Sequence, residues 1–561
     1  MERLKSKSFI LFAAVVLVLA GVAAAQLARP TKAQNPRLER LLPDNTVGFV
    51  EVNDLRAQAL KVIESEAWRE FSKENSSASS LFMLGANHAG VLDASYAIAL
   101  LGVSEEAGGP QFVVVAQFDG WEARRTFENR VLRFVDEARE KGLAIKTEKY
   151  EGATLNIFNK EGGRGFAYAY VNELLVVSNT PDSVKRILDV RAGKTPSLET
   201  NQTFAQARKG AGSVDGMFGF LDGAALTHII DNAPAGTDAN KKVAAIQQLF
   251  HGVGASSVQS VAFTSTFEDG RVAERFTVVA PNRDGVLATV ASNPPTEQKL
   301  LGLVPDNAVA AFDASIANAP QTFEQMFTLM SQVSAQMGRD KSPEDALSEF
   351  TKKTGVDFRG EILGALGNEV CVANLSTGEE HEGLILLDVR DQQAFTRALA
   401  KFAESKKREV TEREYKGVAL HSIAGENGHA LKYAFIGSTF VASGKDDAVE
   451  RAIDTAQSGR SLRSSAAYKD ASAQAQGQPQ FVYFNSNADY LNHLGRTLKS
   501  NGSEFKTDGQ RAALRPSFAF GTTRADGIYI ESRTPLGTFP RLLTAVSSRL
   551  NDGDKKEHGG E

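Results

Sequence analysis

At 561 residues, 42% hydrophobic and 23% charged, the chain is too long for one hydrophobic core and too apolar to be disordered. A net charge of −5 disfavours non-specific attraction to nucleic acid or anionic lipid, so neither is expected as a partner. Cys371 is the only cysteine, which excludes an intrachain disulfide and any zinc site built from several thiolates. It stands in the apolar run NEVCVANL with no His or Lys beside it, and reads as a buried, inert thiol.

Arg3, Lys5 and Lys7 precede an uncharged run from Phe9 to Gln26, and Ala23-Ala24-Ala25 has the small-x-small pattern that signal peptidase cuts. Residues 1–25 are therefore expected to be a signal peptide cleaved between Ala25 and Gln26, or a retained N-terminal membrane anchor. Both expectations put the rest of the chain outside the cytoplasm, in the periplasm or at the cell surface. Membrane contact would come only through residues 9–25, and only if they stay uncleaved. No cysteine follows the apolar run, which excludes the usual bacterial lipoprotein anchor. Residues 26–40 read as a polar linker.

From residue 41 the chain reads as two copies of one pattern. LLPDNTVGFVEV (41–52) returns as GLVPDNAVAAFD (302–313), a turn feeding an alternating strand. Asp44 and Asp306 in these turns read as turn formers rather than a carboxylate site. In the first copy residues 65–84 tend to helix, with Trp68 and Phe71 as apolar contacts. In the second copy Phe323, Met326, Phe327, Met330, Val333 and Met337 fall on one helical face. Phe323, Met326, Phe327, Met330 and Met337 are the candidate ligand-facing residues, since methionine serves adaptable apolar surfaces. Ser342-Pro343 should cap the next helix and Gly355 should end it.

Each copy continues with paired strands (96–101 and 112–118; 370–375 and 384–389). A helix then starts at Asp119, with Phe127, Val131, Phe134, Val135 and Ala138 apolar, or at Asp391, with Phe395, Leu399 and Phe402 apolar. Strands are expected at 154–158 and 419–423. The clearest correspondence follows: VNELLVVSNTPDSVKRILD (171–189) and IGSTFVASGKDDAVERAID (436–454) share six of 19 residues. These are Val176/Val441, Ser178/Ser443, Asp182/Asp447, Val184/Val449, Arg186/Arg451 and Asp189/Asp454. The pattern is strand, polar turn, amphipathic helix, and Asp182 and Asp447 are expected to cap the helix. Phe204 and Tyr468 mark short helices, and strands follow at 217–221 and 481–485. Hairpins turning at Asp269-Gly270 and Asp526-Gly527 close the copies.

The expected fold is α+β: a tandem duplication of a mainly antiparallel, curved sheet of eight or nine strands per copy, with helices packed on one face. The copies should span 41–293 and 296–550, meeting near Pro294-Pro295, with a disordered tail at 551–561.

The run FTKKTGVDF (350–358), continued by Ile362-Leu363 and by LGNEV (366–370), together with Tyr415-Lys416-Gly417 and the strand–turn–helix at 436–454, resembles a bacterial family known as domain of unknown function three-three-five-two. The resemblance is clearest in the second half and implies an exported or surface-associated bacterial protein. It implies no catalytic residues.

No pattern in the chain names a chemistry. The eight histidines include no HExxH pair, and His421 and His429 flank a turn without forming a metal site. Gly212-Ser213-Val214-Asp215-Gly216 has its serine one position early for a hydrolase elbow. His251-Gly252-Val253-Gly254 completes no phosphate-binding loop, and Lys406-Lys407-Arg408 is flanked by acids. The chain is therefore expected to be no enzyme, to need no cofactor or metal, and to bind or scaffold an envelope protein partner or a hydrophobic ligand. The alternative is an extracytoplasmic hydrolase with dispersed acidic residues, recognisable by two carboxylates facing each other in a cleft.

Overall fold

The computed structural model describes residues 37–74, 93–104, 109–129, 144–160, 163–212, 215–233, 240–337, 342–376, 382–425, 430–473, 475, 477–488, 490 and 514–537. The expected signal segment with Ala25 and Gln26, helix positions 131–138, and the tail 551–561 lie outside the described residues.

In the first half the strands are β1 (Gly48–Val52), β2 (Ala94–Ser104), β3 (Gly109–Phe118), β4 (Ala144–Tyr150), β5 (Ala153–Lys160), β6 (Gly163–Val171), β7 (Leu174–Ser178), β8 (Gly216–Asp222), β9 (Ser260–Glu268) and β10 (Arg271–Val279). The second half has β11 (Ala310–Ser315), β12 (Leu366–Asn374), β13 (Gly383–Val389), β14 (Val410–Tyr415), β15 (Val418–Ala424), β16 (Ala430–Ile436), β17 (Thr439–Ser443), β18 (Phe481–Asn485), β19 (Ser517–Arg524) and β20 (Gly527–Thr534). The helices are α1 (Leu55–Glu64), α2 (Glu66–Glu74), α3 (Pro181–Arg191), α4 (Gln202–Ala211), α5 (Gly223–Asp231), α6 (Asn240–Gly252), α7 (Gly285–Ala291), α8 (Ala319–Gln336), α9 (Pro343–Thr354), α10 (Gln392–Ser405), α11 (Asp446–Ser458) and α12 (Ala466–Ser472). Among the described residues, none of these helices is long and apolar enough to cross a membrane.

All twenty strands join one antiparallel sheet. Across the first half the order is β4-β5-β6-β7-β3-β2-β1-β8-β9-β10. The second half repeats it as β14-β15-β16-β17-β13-β12-β11-β18-β19-β20. The halves meet where β10 pairs with β20, from Val272 opposite Thr534 to Val279 opposite Gly527. Like edges joined antiparallel place a pseudo-twofold axis at the centre of the sheet. The free edges, β4 and β14, read AIKTEKY and VTEREY. Such charged edges discourage further strand addition.

Three expectations need correcting. Ten strands, rather than eight or nine, are described in each half; the extra ones include the charged edges, whose polar residues hide the strand pattern. Helices cover both faces rather than one. Val113, Val115, Leu174 and Val176 pack in one core with α3 and α4, whereas Ala116, Phe118 and Leu175 pack in another with Leu55 of α1. The second half repeats this, with α11 and α12 on one face and α10 on the other. Strands such as LLVVS and TFVAS, apolar on consecutive positions, suit burial from both sides. The last hairpin turns at Ala525-Asp526, with Gly527 already paired to Arg524, while Asp269-Gly270 turns as expected and both its residues have positive φ.

The capping signals act as read. Ser342 accepts from the Asp345 N–H and Asp345 answers to the Ser342 N–H, Pro343 opens α9, and Gly355 closes it at φ 69°. Asp391 caps α10 through the Ala394 N–H.

Candidate functional site

The repeated turn is a structural joint. Ser178 Oγ donates to the Phe112 carbonyl (2.6 Å) and accepts from the Thr180 N–H (3.2 Å). Ser443 does the same with the Gly383 carbonyl (2.7 Å) and the Lys445 N–H (3.2 Å). Arg186 donates to Asn45 and Arg451 to Asn307, tying the helix to the Pro-Asp-Asn turn in each half. Tyr150 donates to Asp189 as Tyr415 does to Asp454. Val176, Val441, Val184 and Val449 are fully buried. The expected caps are corrected here: Thr180 caps α3 and Asp182 stands one residue inside it, while α11 follows Lys445 with no side-chain cap. Carboxylates in the first turn still favour the helix dipole.

The candidate ligand helix, α8, is a bridge between halves. Its deepest apolar residue is Leu329, whose methyls approach so closely that a Cβ on Gly252 of α6 would stand 2.4 Å from Leu329 Cδ1. Gln332 accepts from Gln248 and Gln325 from Thr289, both across the junction (2.7 Å each). Phe323, Met326, Phe327 and Met337 are half-buried and Met330 is exposed. Phe323 packs against Phe327 and Phe358, and Arg359 lies over the Phe327 ring. Phe323 and Phe327 thus face the turn that carries Phe358 and Arg359.

The sheet carries a feature that sequence reading missed. In β11, Ala311 and Asp313 face the α11–α12 side, so Phe312 points the other way. Phe312 lies opposite Val372 and Tyr483, and Val372 opposite Ile385. These four neighbours on four adjacent strands are all exposed: Ile385 46%, Val372 47%, Phe312 40% and Tyr483 37%. Four strands span about 14 Å at the usual spacing. The Tyr483 hydroxyl, which accepts from Asn485, is the one side-chain polar atom of an otherwise apolar row. The band runs on through Phe481, which touches Phe312 and covers Gly521, to Ile530, Phe276, Phe263, Gly219 and Val50 in the first half. Phe263 and Phe276 pack at 4.6 Å, and Val50 is again exposed. Exposed alternate positions on a strand look like ordinary surface hydrophobics; only the register aligns them.

On the opposite face each half holds a buried acid pair. Glu51 of β1 and Asp313 of β11 occupy equivalent positions, opposite Ala97 and Cys371, and both are fully buried. Glu51 faces Glu39 of the 3-10 turn Leu38–Leu41; Asp313 faces Glu369 of β12. Burial is the main cause that raises both, Glu51 to about 7 and Asp313 to about 8, and the neighbouring carboxylate adds to it. Arg208 Nη1 stands 3.1 Å from Glu51 Oε1 but without hydrogen-bond alignment, and both Glu51 oxygens and Glu39 Oε2 lack a hydrogen-bond partner. Asp313 accepts from Thr296 Oγ1 (2.6 Å), and Glu369 from the Leu300 N–H (2.8 Å).

The remaining sites read from sequence stay dispersed. Cys371 is fully buried, and burial pushes its thiol well up. His421 stacks on Tyr433 beside Glu412, and His251 pairs with Asp231. His429 and Ser213 lie outside the described residues. Asp306 accepts from Arg460. No metal-binding group occurs among the described residues.

Fold and site together define an α+β protein with a two-sided antiparallel sheet, an open apolar band and buried acids. Residues 279–513, in the second half, match a family described as a protein of unknown function, DUF3352. No curated protein and no solved structure is similar to the chain.

Proposed function

We propose that this is an exported, non-enzymatic protein of the bacterial envelope that holds a hydrophobic ligand on the open apolar band of its sheet. The row Ile385–Val372–Phe312–Tyr483 carries the reading. A contiguous apolar patch left open to water marks an interaction surface. A protein interface usually contributes about one hydrogen bond per 100–200 Å², and in this row only the Tyr483 hydroxyl could supply one. An apolar molecule such as an acyl chain asks for none. The basic N-terminus and the apolar run 9–25 support export.

The hydrolase reading needs opposed carboxylates that a substrate can reach. Glu39, Glu51, Asp313 and Glu369 are opposed, but all are buried, which favours the binding reading. The test uses full-length protein purified from an envelope fraction. Its organic extract is expected to contain acyl lipid, and the double variant Phe312→Glu, Val372→Glu should lose it at an unchanged unfolding temperature. A lipid-free wild-type extract, or equal lipid in the variant, refutes the proposal. An intact mass beginning at Gln26 would identify a cleaved signal, and an uncut mass an anchor.

A further inference from the structure

We infer that residues 538–550 dock on α1 and α2 of the first half, so that each half holds the leading helices of the other. The observed side of this arrangement is the junction at α8. That helix follows the first strand of the second half and packs on α6 and α7 of the first. Leu329 lies close against Gly252, and Thr289 Oγ1 donates to Gln325 (2.7 Å). Asn318 Nδ2 donates to Ser292 Oγ at the end of α7 (2.9 Å). A sheet whose halves are related by a pseudo-twofold axis at β10 and β20 has a second place of the same kind. Its two sides are α1 and α2, which follow β1, and the segment that follows β20.

The sequence of that segment matches α7. After β10, GVLATVA (285–291) forms α7 and Ser292 follows it; after β20, PRLLTAVS stands at 540–547. Leu287/Leu542, Thr289/Thr544 and Ser292/Ser547 are identical pairs, each 255 positions apart. Pro540 stands where Gly285 opens α7, a first helical position that proline favours. Phe539, Leu542, Leu543, Val546 and Leu550 fall at i, i+3, i+4, i+7 and i+11, one helical face. Residues 538–550 lie outside the described residues, but the point from which they start is fixed. Gly537 has φ 62°, its N–H donates to Thr534 Oγ1 (2.8 Å), and a Cβ there would stand 2.7 Å from Val272 Cγ1 of β10. The chain therefore leaves β20 pressed against the first half.

The receiving surface is equally marked. Leu329 stands 262 positions after Ala67, the same shift that relates the two Pro-Asp-Asn turns. Ala67 is 1% exposed, and it belongs to none of the apolar cores formed among the described residues. Arg515, at the entry to β19, pairs with Glu66 of α2 (3.8 Å), so the second half already borders this surface. Ile63 stands where the second half has Gln325, which makes the contact with Thr544 apolar.

Cysteine pairs in the full-length protein, with Cys371→Ser as background, test this. One variant carries Thr289→Cys and Gln325→Cys, the control at the observed junction; the other carries Ile63→Cys and Thr544→Cys. Under mild oxidation both pairs are expected to close within one chain, as read by peptide mass. A 289–325 link without a 63–544 link overturns the inference. A 63–544 link found only between two chains assigns the segment to a second copy and also overturns it. Where the control does not close or a paired variant does not fold, Val546→Asp decides, since Val546 matches the buried Ala291 of α7. It should speed amide exchange in 55–74 by at least about tenfold and leave 319–336 unchanged. Unchanged exchange in 55–74 overturns the inference.

Discussion

Replacing Glu51 by Gln turns the buried acid into a measurable stability difference. Glu51 is raised from 4.5 to about 7 in the folded chain, chiefly by burial. A carboxyl with a raised folded pKa binds its proton more tightly when folded. Its contribution is therefore complete below pH 4.5 and is lost as pH rises through about 7. At about 1.4 kcal/mol for each pH unit between those values, the wild type loses roughly 3 kcal/mol from this group. Gln keeps the volume, cannot ionise, and brings an amide that can donate to the unpartnered Glu39 Oε2. The variant should thus match the wild type near pH 5 and exceed it by up to about 3 kcal/mol at pH 8. Urea unfolding of both proteins at pH 5, 6, 7 and 8 gives that difference directly. The carboxylates held low by cationic partners, Glu268 by Arg275, Glu344 by Arg359 and Glu361 by Lys401, act in the opposite window. Their contribution is present above the ordinary carboxylate range and fades as pH falls, so it cannot mimic the effect. A variant-minus-wild-type difference that is flat from pH 5 to 8, or that falls, refutes the reasoning.

Leu329→Ala should cost about 3 kcal/mol, because it opens a cavity where α8 meets α6 at the junction of the halves; urea unfolding followed by tryptophan fluorescence reads it. Ser342→Ala removes the side-chain oxygen that accepts from the Asp345 N–H, leaving the backbone half of the capping box, and should cost about 1 kcal/mol, seen as faster amide exchange in the first turn of α9. Cys371 should resist a thiol reagent in the folded protein and react with one equivalent after unfolding; reaction in the native state would contradict its burial.

Local signals were legible wherever neighbours in sequence decide them. The Ser342 box, the Asp391 cap, Gly355 and the Asp269-Gly270 turn depend on a few adjacent backbone groups. The strand–turn–helix at 171–189 and 436–454 was legible for the same reason, though not the roles of its residues. Ser178 bonds to Phe112 and Arg186 to Asn45, partners 66 and 141 residues away. The charged edge strands were harder to read, since β14 has no buried face to impose a period of two.

By itself the sequence determined the paired turns and helices, the antiparallel class and the sole cysteine's apolar setting, because caps, turns and periodicity are short-range. Only the tertiary structure decided that β10 meets β20, that helices cover both faces, and that α8 spans the junction. It alone aligned Ile385, Val372, Phe312 and Tyr483 into one open row and brought Glu39 against Glu51. Those facts rest on strand register and on contacts between distant segments. A shift of one residue would turn Phe312 inward and Asp313 out to water, and no local pattern records that choice.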